Sequence, residues 1–391
     1  MKILITTGTF ELGASGPSTY LSNLINRLVS RGHQIVLVTY KRGESQDSRQ
    51  ENDNFLIKRV PRYKFLPASL SAFVWQILIL GRDCDLLFIN DYGLPGTLAN
   101  FILRKPSVMK IVGDFAWEYS IRNNLIDQTE DIDAFQKKKY GFKIRLLKKL
   151  QLFYARRARV IIAPSNYFKK VISGWGVAPE KIKVVYNAID QKKYQIDLTP
   201  AEVRKKLGFK ENDRLILTIA RLAAWKGIDR VLEILPAIKK EIPEVKYLVA
   251  GQGYFLEKLK SLAKENNLEE AVIFLGLVRQ EDIPLFLKAA EVLVLYSGYE
   301  GMSHVLLECL AASVPAVVSD KGGNPEAIED GKTGILAPWG NSAKLQEAIL
   351  RIMNNQFLAE EIKTKQREKT EFFNLEKQFK ETINIFETLI Q

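Results

Sequence analysis

The sequence has only two cysteines, Cys84 and Cys309, and two histidines, His33 and His304. Neither a disulfide framework nor a cysteine-rich zinc site can be built from so few ligands. Long apolar runs are missing as well. A long uncharged stretch, Phe65 to Leu80, is interrupted by Pro67, Ser69, Ser71 and Gln76, and it falls short of the roughly 18 apolar residues of a spanning helix. It reads as a buried or interfacial helix. The start runs from Lys2 through Ile3-Leu4-Ile5 into Thr-Thr-Gly, without the apolar core or small-residue cleavage site of a secretion signal. A cytoplasmic protein, soluble or peripheral on the inner face of the plasma membrane, is the expectation. Glycine (24) and proline (14) are not enriched among 391 residues, and 47% of the chain is hydrophobic against 26% charged. Disordered, collagenous and low-complexity classes are thereby excluded.

A chain of 391 residues has room for two or three domains at roughly 100–200 residues each. Its net charge of +12 is unevenly held: residues 1–200 carry 31 Lys and Arg against 17 Asp and Glu, whereas residues 201–391 carry 26 against 28. The first half therefore meets something anionic, and the second half has a separate task. From Lys137 to Arg159 there are ten basic residues and no acid, interleaved with Tyr140, Phe142, Ile144, Leu146, Leu147, Leu150, Leu152, Phe153 and Tyr154. A second cluster comprises Lys58, Arg59, Arg62, Tyr63, Lys64 and Phe65. Both suit an anionic membrane surface or an anionic acceptor. Nucleic acid is disfavoured as a partner, since no recognition motif accompanies the charge.

Short β-branched runs recur from Lys2 to Thr6, Gln34 to Thr39, Asp85 to Asn90, Val108 to Val112, Val160 to Ala163 and Ile182 to Tyr186. Between the first two, Tyr20, Leu21, Leu24, Ile25 and Leu28 fall at helical spacing and stop at Gly32. Strand, helix, strand implies a parallel sheet. The pattern restarts beyond a polar stretch, from Leu215 to Ala220, Val245 to Gly251, Val272 to Gly276, Val292 to Tyr296 and Pro315 to Ser319. The fold class expected is α/β with two doubly wound domains, residues 1–190 and 191–369. A closing helix pattern follows at 370–391.

Chemistry concentrates in the second half. Glu300-Gly301-Met302-Ser303-His304-Val305 leads to Glu308, and Gly322-Gly323-Asn324-Pro325-Glu326 follows. Ser303 can cap a helix whose first N–H groups hold a phosphate. Glu308 would then lie about 7 Å further along the axis, so that it and Glu300 bracket a diphosphate. Arg221 and Lys226, at the end of a strand, can neutralise such a leaving group. Each feature has an ordinary alternative as loop charge, solvated helix residue or turn, but the combination is hard to obtain by chance.

Taken together, Glu300-x7-Glu308, Arg221-Leu-x3-Lys226-Gly227 and Gly322-Gly-x2-Glu326 resemble the family 4 glycosyltransferases, retaining enzymes of the GT-B fold. Pro164-Ser165, the segment Lys181 to Asp190, Gly251-Gln252-Gly253 and Phe274-Leu275-Gly276 agree, so the resemblance spans nearly the whole chain. It implies two Rossmann-like domains facing across a cleft, with the 370–391 helix crossing back to the first. A nucleotide-diphosphate sugar would be the donor substrate, with no cofactor and no metal. Arg221 and Lys226 would bind the diphosphate, Glu308 the ribose and Glu300 the sugar. Backbone around Gly276, Val278 and Arg279 would meet the base, and Gly301, Met302, Ser303, His304 and Val305 would line the donor. Gly13 to Gly16 would approach from the first domain. Many members carry a His near the reacting sugar where this chain has Val112 to Glu118, which makes Asp114 the catalytic candidate there. A glycan or lipid-linked acceptor is implied. Asp83-Cys84-Asp85 is discounted as a metal motif because it directly precedes a strand. Two other functions use similar features: a GT-B sugar-nucleotide epimerase and a non-catalytic membrane-surface scaffold.

Overall fold

The computed structural model describes residues 1–10, 16–41 and 48–390. It divides into two compact units: Met1–Leu125 with Asp133–Tyr186 and Glu376–Gln391, and Ile126–Ile132 with Asn187–Leu375.

The first unit is built on β1 (Lys2–Thr7), β2 (Gln34–Tyr40), β3 (Ser48–Asn52), β4 (Phe55–Val60), β5 (Leu86–Asn90), β6 (Ser107–Lys110), β7 (Val160–Ala163) and β8 (Ile182–Val184), in the spatial order β3-β4-β2-β1-β5-β6-β7-β8. β1 pairs in parallel with both β2 and β5, and every residue of β5 is buried. Such unbroken apolar runs are what a parallel sheet covered on both faces requires. Helix Gly16–Ser30 connects β1 to β2 and buries Tyr20, Leu21, Leu24, Ile25 and Leu28 before the chain turns at Gly32, whose φ is +79°. The last helix, Leu375–Ile390, belongs to this same unit through buried Phe379, Ile383 and Phe386. Phe386 meets Phe88 of β5 at 5.0 Å between ring centroids, and Arg27 pairs with Glu376.

The hairpin β3–β4 was not anticipated from the sequence. It is the antiparallel edge of an otherwise parallel sheet. Within β4, Phe55, Ile57 and Val60 are buried while Lys58 and Arg59 stay partly exposed, so its charges hid a strand. Beside it, helix Leu66–Gly81 contains no charged residue, yet only Ser69, Phe73, Ile77 and Gly81 are buried. Trp75 and Ile79 stand exposed on its other side. Among the described residues no helix is long and apolar enough to cross a membrane.

The second unit contains β9 (Arg214–Ile219), β10 (Val245–Ala250), β11 (Val272–Gly276), β12 (Val292–Leu295), β13 (Ala316–Ser319) and β14 (Ile335–Ala337). Its order is β11-β10-β9-β12-β13-β14, all parallel. This is the doubly wound order in which the chain reverses direction between β9 and β12. The expected α/β class with two doubly wound sheets is thus observed. β14, three residues long, is too short to leave a periodic signal.

Candidate active site

In an open parallel sheet, ligands bind beyond the carboxyl ends of the strands where the strand order reverses. In the second unit those ends are Ile219 of β9 and Leu295 of β12, and they deliver the two segments singled out from the sequence. Beyond β9, Arg221 is exposed with its guanidinium 5.4 Å from the Trp225 ring centroid. A single 3-10 turn, Ala224–Lys226, then brings Lys226 round. Lys226 Nζ donates to Glu300 Oε1 at 2.6 Å, and both side chains are mostly buried.

Backbone approach makes this pairing possible. Gly227 has φ +65°, and a Cβ there would stand 1.8 Å from the carbonyl oxygen of Tyr296. The loop after β13 closes equally tightly: Gly322 has φ +66° with Glu300 backbone atoms where a side chain would go, and Gly323 N donates to Glu300 O at 2.8 Å. Gly227→Ala combines an overlap with a disfavoured backbone conformation, so it is expected to cost more than about 1 kcal/mol and to lower the urea midpoint. An unchanged midpoint would show that the loop gives way easily.

Ser303 caps helix His304–Ala311, its Oγ accepting from Leu306 N at 3.3 Å, and so takes one of the donors a helix start leaves unpaired. Gly301 and Met302 are buried just before it; His304 and Val305, half-buried, open the helix. Asn187 Nδ2 donates to Met302 O at 3.0 Å. Glu308 is buried, and that burial raises its carboxyl above the usual range, with Gln280 and Tyr194 pulling the other way. Gln280 Nε2 donates to Glu308 Oε1 at 2.8 Å. Gly276 ends β11 with φ +66° and open space around it, and Val278 follows half-buried.

A model described as Glycosyltransferase Family 4 matches residues 14–193, and one described as Glycosyl transferases group 1 matches residues 200–369. The chain belongs to glycosyltransferase family 4. This glycosyltransferase is 25% identical to an uncharacterized glycosyltransferase of Methanocaldococcus jannaschii, covering 100% of this chain and 99% of the relative. It is 24% identical to the alpha-monoglucosyldiacylglycerol synthase of Streptococcus pneumoniae, over 83% of this chain and 72% of the relative. Sucrose-phosphate synthase from Thermosynechococcus elongatus matches its structure with a TM-score of 0.81 at 20% identity, over 99% of this chain and 98% of the other. Anabaena HepE in complex with UDP and glucose matches at 0.80 and 20% identity, over 99% and 100%. The fold is GT-B. Neither the epimerase nor the scaffold alternative finds support in these comparisons.

Not every sequence candidate of this glycosyltransferase stands in a site. Asp114 is fully buried in the first unit as the N-cap of helix Phe115–Arg122. Its Oδ1 accepts from Trp117 N at 3.0 Å and Gln151 Nε2 at 3.1 Å, and its Oδ2 accepts from Gln136 Nε2 at 2.8 Å and Trp175 Nε1 at 3.2 Å. With four donors on two oxygens, the geometry gives Asp114 a structural task, tying together the Phe115–Arg122 helix and three distant segments. Burial also raises its carboxyl above the usual range. Gly16 begins helix Gly16–Ser30, whereas Gly13, Ala14 and Ser15 lie outside the described residues. Asp85 Oδ2 accepts from Lys2 N at 2.7 Å, an ordinary clasp below β1. Among the described residues no group of three or more His, Cys, Asp or Glu could hold a metal ion. Tyr194 and Gln280, which face Glu308, were missed from the sequence. Gln280 follows Gly276–Arg279 directly, and that adjacency was the one available signal.

Proposed function

We propose that this glycosyltransferase moves a sugar, with retention of anomeric configuration and without a metal, from a nucleotide-diphosphate sugar to a glycan or lipid-linked acceptor at an anionic membrane surface. The Lys226–Glu300 ion pair beside the Ser303-capped helix start carries the reading. It joins a cation suited to a departing diphosphate to a carboxylate suited to the sugar, in a mostly buried setting where charges act strongly. Arg221 adds a second, more exposed cation on the same loop. Glu308 would take the ribose, and backbone at Gly276–Arg279 the base. The named functions of two relatives favour a lipid acceptor: the pneumococcal synthase above, and a GDP-mannose-dependent phosphatidylinositol monomannoside mannosyltransferase of Mycobacterium tuberculosis, 23% identical over 90% of this chain and 89% of that one. A donor-hydrolysis screen over UDP-, GDP- and ADP-sugars tests the activity; the expected result is slow sugar release from one nucleotide class, slowed about tenfold by Arg221→Ala. Release from none, with intact folding, would count against it.

The membrane part rests on the first unit. Tyr63, Phe65, Leu66, Trp75 and Ile79 lie exposed on or beside the uncharged Leu66–Gly81 helix, and Phe142 and Leu146 lie exposed on helix Phe142–Arg157. Lys143, Arg145 and Lys149 are exposed beside the latter pair. Apolar side chains ringed by basic ones suit the interface of an anionic leaflet. Not all of the basic run is available: Lys148 donates to Phe135 O and sits 4.0 Å from that ring's centroid, and Arg156 Nε donates to Gly176 O at 3.0 Å. Reversing Lys143, Arg145 and Lys149 together to Glu is therefore expected to lower affinity for anionic vesicles roughly a hundredfold, at about 1 kcal/mol for each basic side chain removed from the leaflet surface. Sedimentation with vesicles decides it, and equal binding to neutral and anionic vesicles would refute the membrane assignment.

A further inference from the structure

We propose that Gln280 and Tyr194 are positioning residues that hold the buried Glu308 carboxylate by one oxygen and leave the other to accept from a ribose hydroxyl of the donor. The inference deepens the donor-site reading above and rests on it.

Three segments far apart in sequence converge on this carboxylate within the second unit. Glu308 lies in helix His304–Ala311 and is 5% exposed. Gln280 stands just beyond the β11 turn and donates from one nitrogen to Glu308 Oε1 at 2.8 Å and to Tyr194 Oη at 3.3 Å. Tyr194 ends the 3-10 turn Gln191–Tyr194 and is itself buried. Glu308 Oε2 is buried without a hydrogen-bond partner among the described residues. An acceptor stranded in this way costs stability unless something fills its place. An ionised carboxylate only accepts, so a donor such as a ribose hydroxyl suits it, and Oε2 is the oxygen with no partner among the described residues.

The arrangement also links two recognition tasks. The Gly276–Arg279 backbone, assigned to the base, runs directly into Gln280, so the side chain that orients the ribose carboxylate is anchored by the base loop. Displacing that loop would turn Glu308 as well. Ribose discrimination and base discrimination should therefore weaken together when Gln280 is lost.

The titratable groups facing this cluster are few. Burial and the nearby Glu308 push the Tyr194 hydroxyl far above its usual range, with Asp190 adding to it, and the Cys309 thiol next to Glu308 is pushed up as well. Because the Gln280 hydrogen bond favours the ionised form of Glu308, removing it raises the carboxyl further. The pH below which donor binding fails should then move upward.

Calorimetric titration checks the proposal. The probe is whichever of UDP, GDP and ADP binds tightest, together with its 2′-deoxy and 3′-deoxy forms, against wild type, Gln280→Ala, Tyr194→Phe and Glu308→Gln. Wild type is expected to lose roughly tenfold in affinity for one deoxy form, the size of one charged hydrogen bond. Gln280→Ala should shrink that ratio towards the Glu308→Gln value and move the acid limb of binding to higher pH. Tyr194→Phe, which keeps the buried ring, should do the same more weakly. A wild-type ratio and acid limb in both Gln280→Ala and Tyr194→Phe, with the ratio lost in Glu308→Gln, would overturn the positioning role while leaving the ribose assignment standing. A ratio unaffected even by Glu308→Gln would instead overturn the ribose assignment itself.

Discussion

Lys226→Ala is expected to slow sugar transfer by about a hundredfold or more, a larger loss than Arg221→Ala, for which about tenfold is expected. Under the proposed function, each substitution removes a charge-assisted contact to the leaving diphosphate, worth about 1.5–3 kcal/mol. Lys226 does more, because its ammonium also neutralises Glu300 at 2.6 Å, where the two side chains are only 13% and 11% exposed. Removing one member of such a pair leaves the other's charge uncompensated. Arg221 is exposed and rests on Trp225, in a solvated setting where charge contacts are worth less. The measurement is kcat on the accepted donor with purified variants, alongside melting curves that separate lost chemistry from lost folding. Equal, small effects from both would mean that the diphosphate is held elsewhere. Since the clamp would do the work of a metal, transfer is also expected to persist in EDTA; loss on chelation, restored by Mg or Mn ions, would contradict it.

The strands that could be read in advance are mostly well buried. Most of them, β1, β2, β5, β6, β7, β9, β10, β12 and β13, are buried along most of their length, and hydrophobicity largely marks them; β8 and β11 are legible although only Ile182 and Val272 in them are buried. β4, one strand in from the edge, escaped because only Phe55, Ile57 and Val60 in it are buried, and its Lys58 and Arg59 look like a basic surface patch when the fold is unknown. The same distinction holds at the site. Local spacing placed Arg221 near Lys226 and capped the helix with Ser303, because those relations span a few residues. The Lys226–Glu300 pair joins positions 74 apart, and the donors to Asp114 come from as far as 61 residues away. Such partners are chosen by the sheet order, which brings β9 beside β12, and no window of sequence contains them. Asp114 shows the cost: the resemblance makes it the catalytic candidate where many members carry a His, whereas tertiary packing has saturated it with four donors.

Glu300→Gln is expected to lower turnover by about a hundredfold while leaving nucleoside diphosphate affinity nearly unchanged, whereas Glu308→Gln should chiefly weaken nucleotide binding. The contrast follows from position. Glu300 precedes the capped helix start, paired to the cation assigned to the leaving group, and its backbone is gripped by Gly322 and Gly323. A carboxylate fixed in this way can orient the sugar and stabilise the positive charge that develops as the glycosidic bond breaks. An amide retains its shape but not its charge, so ground-state binding survives better than transition-state binding. Under the proposed function, the departing diphosphate, held by Arg221 and Lys226, would be the base that takes the acceptor's proton on the face it has just left, so that the acceptor would join with the donor's anomeric configuration retained. NMR coupling of the product's anomeric proton should therefore match that of the donor. An inverted coupling, or a glycosyl adduct on Glu300 trapped by mass spectrometry, would replace this mechanism with another.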